Sequence, residues 1–265
     1  MAKEFTSCKI CKSPSLKIFD QKILGKYPIN YFQCESCGFG QTGEPYWLDE
    51  AYSESMNFGD TGQISRNLNA SKVLIPLIHY FFNKDGKFLD YAGGYGMFTR
   101  IMRDIGVDYY WDDKYTENLI GLGFERSKEK TRFELVSTFE CFEHWVDPLS
   151  EIEEILKETD SIFFTTNLIS RPAPKPDEWW YYGFDHGQHV AFHSVDSLRF
   201  VAKKFGLNFY TKRGFHLLTR KKINTLYYKL IVEFAFRGYF SWLISRYQSR
   251  TQSDHELLVA RKASA

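Results

Sequence analysis

Four of the five cysteines fall into two Cys-x-x-Cys pairs, Cys8/Cys11 and Cys34/Cys37, separated by 22 residues. A segment of this size cannot bury enough apolar surface to fold unaided. Two such knuckles can place four thiolates tetrahedrally around one Zn²⁺, and the metal then replaces the missing core. Residues 1–45 are therefore expected to form a small zinc-ribbon module, with reducible disulfides or unliganded thiols as the alternatives. A ribbon can bind nucleic acid, but 34 Lys+Arg against 33 Asp+Glu leave a net charge of only +1, which speaks against that partner. The fifth cysteine, Cys141, follows an apolar run and reads as an inert core residue.

The start, Met1-Ala-Lys-Glu-Phe-Thr-Ser-Cys8, lacks an apolar signal region. No run approaches the ~18 uncharged apolar residues of a spanning helix. A cytoplasmic location with reduced thiols is the expectation.

Residues 60–265 carry a different pattern. At 43% hydrophobic residues the chain has ample material for a core, which excludes disorder. Short apolar runs alternate with helical spacing. Helices are predicted over 64–82, 96–105, 147–157 and 194–205, the third with Asp147 as N-cap and Pro148 in the first turn. Strands are predicted over 87–91, 108–111, 133–139 and 161–166, with closing strands at 207–220 and 256–261. Near-continuous apolar strands joined by helices imply a doubly wound, mostly parallel α/β sheet, Rossmann-like, covered on both faces. The closing pair, and so the last strand, is expected to be antiparallel.

The first of these strands ends in Asp90-Tyr-Ala92-Gly93-Gly94-Tyr95-Gly96, just before a helix. Glycines here let the backbone turn tightly beside a ligand. The dinucleotide fingerprint matches poorly, because Thr99 takes the third glycine position. Asp90 disfavours a pyrophosphate and favours a cation. Asp112 and Asp113 end the next strand, where such folds hold ribose hydroxyls. The combination points to a nucleoside carrying a positive charge and no phosphate, and S-adenosylmethionine has those properties. The alternative is a glycine-rich turn with solvated aspartates.

Asp90-x-Ala92-x-Gly94-x-Gly96 resembles the Asp-x-Gly-x-Gly-x-Gly turn of class I S-adenosylmethionine-dependent methyltransferases, with Ala92 in place of the first glycine. The stretch from Phe133 through Glu140, Glu143 and His144 to Pro148 is similar to the fourth strand and following Glu-His of the same group. The resemblance spans about residues 65–222 and 255–262. It implies that Asp90, Gly94 and Gly96 cradle the methionine portion, with Ala92 and Tyr95 in the same turn. It further implies that Asp112 or Asp113 holds the ribose, Asp113 by register, and that Phe139 and Glu140 flank the transferred methyl. Cysteine knuckles ahead of such a domain are similar to those of bacterial sugar methyltransferases, including deoxysugar C-methyltransferases.

The acceptor would lie beyond the strand ends. Glu143 and His144 follow one strand, and His186 and His189 lie in the long, aromatic segment 167–190, which reads as a lid or binding loop. These four are the catalytic candidates, with hydrogen bonding to loop backbone as the plainer role for the histidines. Glu140-x-x-Glu143-His144 is also similar to a cluster in ubiquinone-pathway O-methyltransferases, which implies Mg²⁺ on Glu140, Glu143 and His144. Capping or loop ordering is the alternative.

Residues 223–250 form a helical insertion between the closing strands, with eight aromatics. From 211 to 250, nine Lys/Arg stand against the single acid Glu233. This suits a membrane surface or a phosphate-bearing acceptor, or else a helical cover or dimer face. The expected function is methyl transfer to a small polar acceptor, a sugar oxygen or carbon on a nucleotide- or lipid-linked carrier. An RNA methyltransferase guided by the ribbon and a non-catalytic cofactor-binding scaffold are the rivals.

Overall fold

The computed structural model describes residues 4–53, 59–126 and 132–263. The outermost ends of the two expected units, 1–3 and 264–265, lie outside it. The first strands are β1 (Phe5–Ser7), β2 (Pro14–Ile23), β3 (Tyr27–Cys34) and β4 (Gly40–Thr42), followed by α1 (Leu48–Ala51) and α2 (Gln63–Phe81). Then come β5 (Lys87–Tyr91), α3 (Met97–Ile105), β6 (Asp108–Asp112), β7 (Leu135–Phe139), α4 (Pro148–Leu156) and β8 (Ser161–Thr165). The chain continues through β9 (Ala191–Phe192), α5 (Val195–Phe205), β10 (Asn208–Lys212), β11 (Phe215–Thr219), α6 (Thr225–Phe236) and α7 (Thr251–Ala263).

The central sheet has the order β10-β11-β8-β7-β5-β6. Pairs β5/β6, β5/β7 and β7/β8 are parallel, whereas β11 runs antiparallel to both β8 and β10. This is the expected Rossmann-like sheet with one reversed strand. Because strand side chains alternate faces, each strand feeds two cores. Phe88, Leu135, Phe163 and Leu217 face one core with residues of α2, α3 and α6. Leu89, Val136, Ile162, Phe164 and Leu218 face the other, with residues of α4 and α5. Asp147 caps α4 through Ser150 N–H at 3.3 Å, and Ser194 caps α5.

The closing strands differ from expectation. Both lie inside 207–220, joined by Arg213 and Gly214, whose φ angles of 55° and 78° make a two-residue hairpin turn. Residues 256–261 belong to helix α7 instead. Their Glu, Leu, Ala and Arg favour helix, and Asp254 ties the helix to α3 through Arg103 (2.8 and 2.7 Å) and Arg100 (2.9 Å). The aromatic segment 223–250 is thus no insertion between strands. It follows the sheet as α6 and a 3₁₀ turn, Ser241–Arg246.

The cysteine-bearing sheet is built into this architecture. Its order is β1-β2-β3-β4-β9, so its last strand comes from residues 191–192. Cys8, Ile10, Cys34, Cys37 and Phe39 share the second core with Val136, Phe142, Phe164 and Leu198. Gln33 Nε2 donates to the Ser170 carbonyl at 2.7 Å, and Trp47 Nε1 donates to the Gly187 carbonyl at 2.7 Å. No helix among the described residues is long and apolar enough to cross a membrane.

Arg103 and Asp254 are both buried. Asp254→Ala leaves the buried Arg103 guanidinium with only Asp108 of its two carboxylate partners and should destabilise the protein by about 3 kcal/mol, read as a lower urea midpoint with an unchanged slope.

Candidate active site

A cleft of about 1630 Å³ opens at the C-terminal ends of β5, β6, β7 and β8, where a doubly wound sheet leaves room for ligands. Asp90, Ala92, Gly94, Tyr95, Asp112, Asp113, Phe139, Glu140, His144, His186 and His189 all line it. Gly96 and Glu143 are not on its wall.

The turn after β5 is shaped by its smallest residues. A Cβ on Gly93 would stand 2.8 Å from both Asp90 Oδ2 and Trp111 Cδ1. Gly96 caps α3 with φ 84°, and a Cβ there would stand 2.5 Å from Asn118 Oδ1. Ala92 sits at φ 55°, a left-handed conformation costly for an alanine. The Asp90 carboxyl is buried and accepts from Ser137 Oγ at 3.0 Å, which in turn accepts from Tyr109 Oη at 2.9 Å. Burial pushes Asp90 up to about 8, opposed by the Ser137 hydrogen bond and reinforced by Asp113.

The two acids after β6 differ. Asp113 accepts from Gly94 N–H at 2.9 Å and from Tyr115 and Thr116 N–H at 2.8 Å each, so its oxygens order the loop. Asp112, the last residue of β6, has Arg126 at 3.5 Å, and burial raises its carboxyl.

Beyond β7 and β8 lies a cluster of acids and imidazoles. Burial lifts Glu140 and Glu143 to about 7 each, and the Glu143 carboxylate raises Glu140 further. Both Glu143 oxygens are buried without a hydrogen-bond partner among the described residues, although the nearby Tyr181 and Thr166 hydroxyls oppose the upward shift. The three histidines pack edge to face: His144 and His189 rings are 4.9 Å apart, His186 and His189 4.7 Å. Burial lowers all three, His186 to about 4. Their tautomers follow from their partners. His189 Nδ1 faces the Tyr181 carbonyl at 2.7 Å and must donate, which leaves Nε2 with a free lone pair. His186 Nδ1 accepts from Gln188 N–H at 3.2 Å, so its proton sits on Nε2.

Ligand atoms of Glu143, His144 and His189 come within 4.8 Å of one another, and Glu140 is not in that group. This corrects the expected set of Glu140, Glu143 and His144. One carboxylate and two imidazoles also do not fit Mg²⁺, which takes oxygen ligands. Cys141 is pushed up to about 12 by burial, so its thiol stays protonated.

Sequence spacing gives no signal for two further residues. Tyr52, from the stretch after α1, meets His144 Nδ1 at 2.9 Å. Arg66, in the first turns of α2, lines the cleft beside Asp60 at 2.5 Å. The aromatic segment 179–182 also turns mostly inward. Tyr181 and Tyr182 are buried beneath β3, while Trp180 is exposed at the cleft.

The cysteines converge as the spacing predicts. Cys8 and Cys37 Sγ are 3.6 Å apart, Cys11 and Cys34 Sγ 3.4 Å. These distances exclude disulfides, near 2.05 Å, and approach the ~3.8 Å edge of a tetrahedron with 2.3 Å Zn–S bonds. Cys11 and Cys37 N–H point at the Cys8 and Cys34 sulfurs at 3.5 Å each.

A family model described as a methyltransferase domain matches residues 66–212. Among solved structures, magnesium protoporphyrin IX methyltransferase from Synechocystis with bound SAM is 12% identical, covering 66% of this chain and 89% of that one, with TM-score 0.41. Plantazolicin methyltransferase in complex with SAH is 13% identical, covering 72% of this chain and 84% of that one, with TM-score 0.44. No curated protein matches the chain.

Folding raises Glu143 from 4.5 to about 7. The folded state therefore holds the proton more tightly, and the contribution is full below pH 4.5 and lost as pH rises through 7. Glu143→Gln should flatten this slope and be the more stable protein at pH 8, measured by thermal melts across pH.

Proposed function

Because the chain belongs to the methyltransferase-domain family, we propose that its cleft binds S-adenosylmethionine and transfers the methyl group to a hydroxyl or carbon of a small polar acceptor, a sugar on an activated carrier. The observation that carries this reading is the buried Asp90 carboxyl inside a glycine turn that opens on the cleft. When bound, S-adenosylmethionine supplies an electrophilic methyl group on a sulfonium. Asp90 and Gly94, on the cleft wall, receive its cationic end, and Gly96 lets the turn pass behind them against Asn118. Asp112 is the better acceptor for ribose hydroxyls, since the Asp113 oxygens already serve three backbone N–H groups.

His189 is the proposed base. Its Nε2 lone pair is free, burial keeps the ring neutral, and the Glu140 carboxylate favours its charged form once a proton arrives. Tyr52 orients His144 beside it. Exposed Trp180 and Tyr115 on the cleft wall offer ring faces to a sugar. The four cysteine sulfurs fit Zn²⁺ in a structural role.

Titration calorimetry with S-adenosylmethionine tests the reading. A cation beside Asp90 favours its ionised form, so binding releases a proton below about pH 8. Affinity should rise with pH towards 8 and lose that dependence in Asp90→Asn. Asp112→Ala should weaken binding about tenfold, one charge-assisted hydrogen bond, whereas His189→Ala should leave affinity unchanged and remove turnover. Absence of binding, or preference for a nicotinamide dinucleotide, overturns the proposal. Separately, elemental analysis should find one zinc per chain, lost in Cys34→Ser together with much of the thermal stability.

A further inference from the structure

Helix α6 hides one apolar stripe and displays another. Tyr228, Val232 and Ala235 are buried against the sheet. Tyr227, Leu230 and Phe234, at the same helical spacing, point outward, and Tyr227 is 61% exposed. The outer stripe is extended by Tyr80 of α2, which shares a groove with Tyr227, Leu230 and Phe240. Tyr239 packs on Phe234 at 5.6 Å and is itself 65% exposed, and Trp242 in the next turn is 51% exposed. A run of exposed rings on this scale marks a contact surface.

The chain along it is strongly basic. Glu233 is the single acid between 211 and 250, and it is already held by Lys212 (3.2 Å), Arg213 (2.7 Å) and Arg237 (2.8 Å). Lys222, Lys229 and Arg246 have no acidic partner among the described residues. Aromatic and aliphatic side chains fringed by unpaired bases suit the headgroup region of an anionic bilayer. The surface also runs into the cleft: Phe236 of α6 lines the cleft mouth, with the Arg213 guanidinium over its ring at 4.9 Å.

We infer that the outer face of α6 and the turn after it rest on an anionic lipid surface, with the cleft mouth beside the headgroups. The membrane contact stands on this surface alone. Its consequence, an acceptor carried on a lipid anchor, rests on the methyl-transfer reading.

The test is flotation of the whole protein with vesicles of phosphatidylcholine alone and of phosphatidylcholine mixed with phosphatidylglycerol, alongside sedimentation for oligomeric state. Binding is expected to the anionic vesicles only and to fall with added salt. Replacing Lys222, Lys229 and Arg246 together with Gln should lower partitioning about a hundredfold, near fivefold per base. Tyr227→Asp with Phe234→Asp should abolish it. Both variants should keep wild-type affinity for S-adenosylmethionine, which shows them folded and separates this proposal from the cofactor reading. Equal binding to both vesicle types, binding to neither, or a stable dimer that shields Trp242 from quenchers overturns the inference.

Discussion

Every part of the molecule leans on the two-sided burial of the central sheet. Five of its six strands run the same way, and consecutive residues of each strand supply opposite cores. One face is closed by α2, α3 and α6. The other is closed by α4 and α5 only in part, and residues around the cysteine knuckles complete it. The N-terminal sheet is therefore a piece of the core as well as a carrier of four thiols. The two-residue strand β9, paired to β4, fixes the join with backbone hydrogen bonds.

That join shapes the chemistry. The segment 167–190 is held by Gln33, Trp47 and the backbone around Ala51, so it forms a fixed wall and not a free lid. Its inward tyrosines fill a core with Tyr31 and Trp47, and its histidines are carried to the cleft. Depth then sets protonation. Three acids, Asp90, Glu140 and Glu143, are pushed towards neutrality by burial, and three imidazoles are kept neutral by the same cause. These six groups carry reduced charge until a cation or a proton reaches them, which is the setting a neutral base and a cationic donor require.

The surface tells a second story. Helix α6 has little polar face, because it serves the core with one side and shows rings and bases on the other. Arg213 and Phe236 bring this face to the cleft mouth.

Local patterns in the chain were enough for the parallel strands, their helices, the cap at Asp147, the Asp90 turn and the convergence of four cysteines, because each is written in neighbouring residues. Alternation, glycine placement and paired thiols act over a few residues at a time. Tertiary structure alone decided the rest. The Arg213-Gly214 hairpin placed both closing strands within 207–220, and the ion pairs of Asp254 with Arg100 and Arg103 hold 251–263 as a helix. Hydrogen bonds from Gly94, Tyr115 and Thr116 occupied Asp113 and left Asp112 available. Tyr52, Arg66 and the grouping of Glu143 with His144 and His189 depend on segments far apart in the chain. Such contacts are set by how faces pack, and linear spacing carries no record of them.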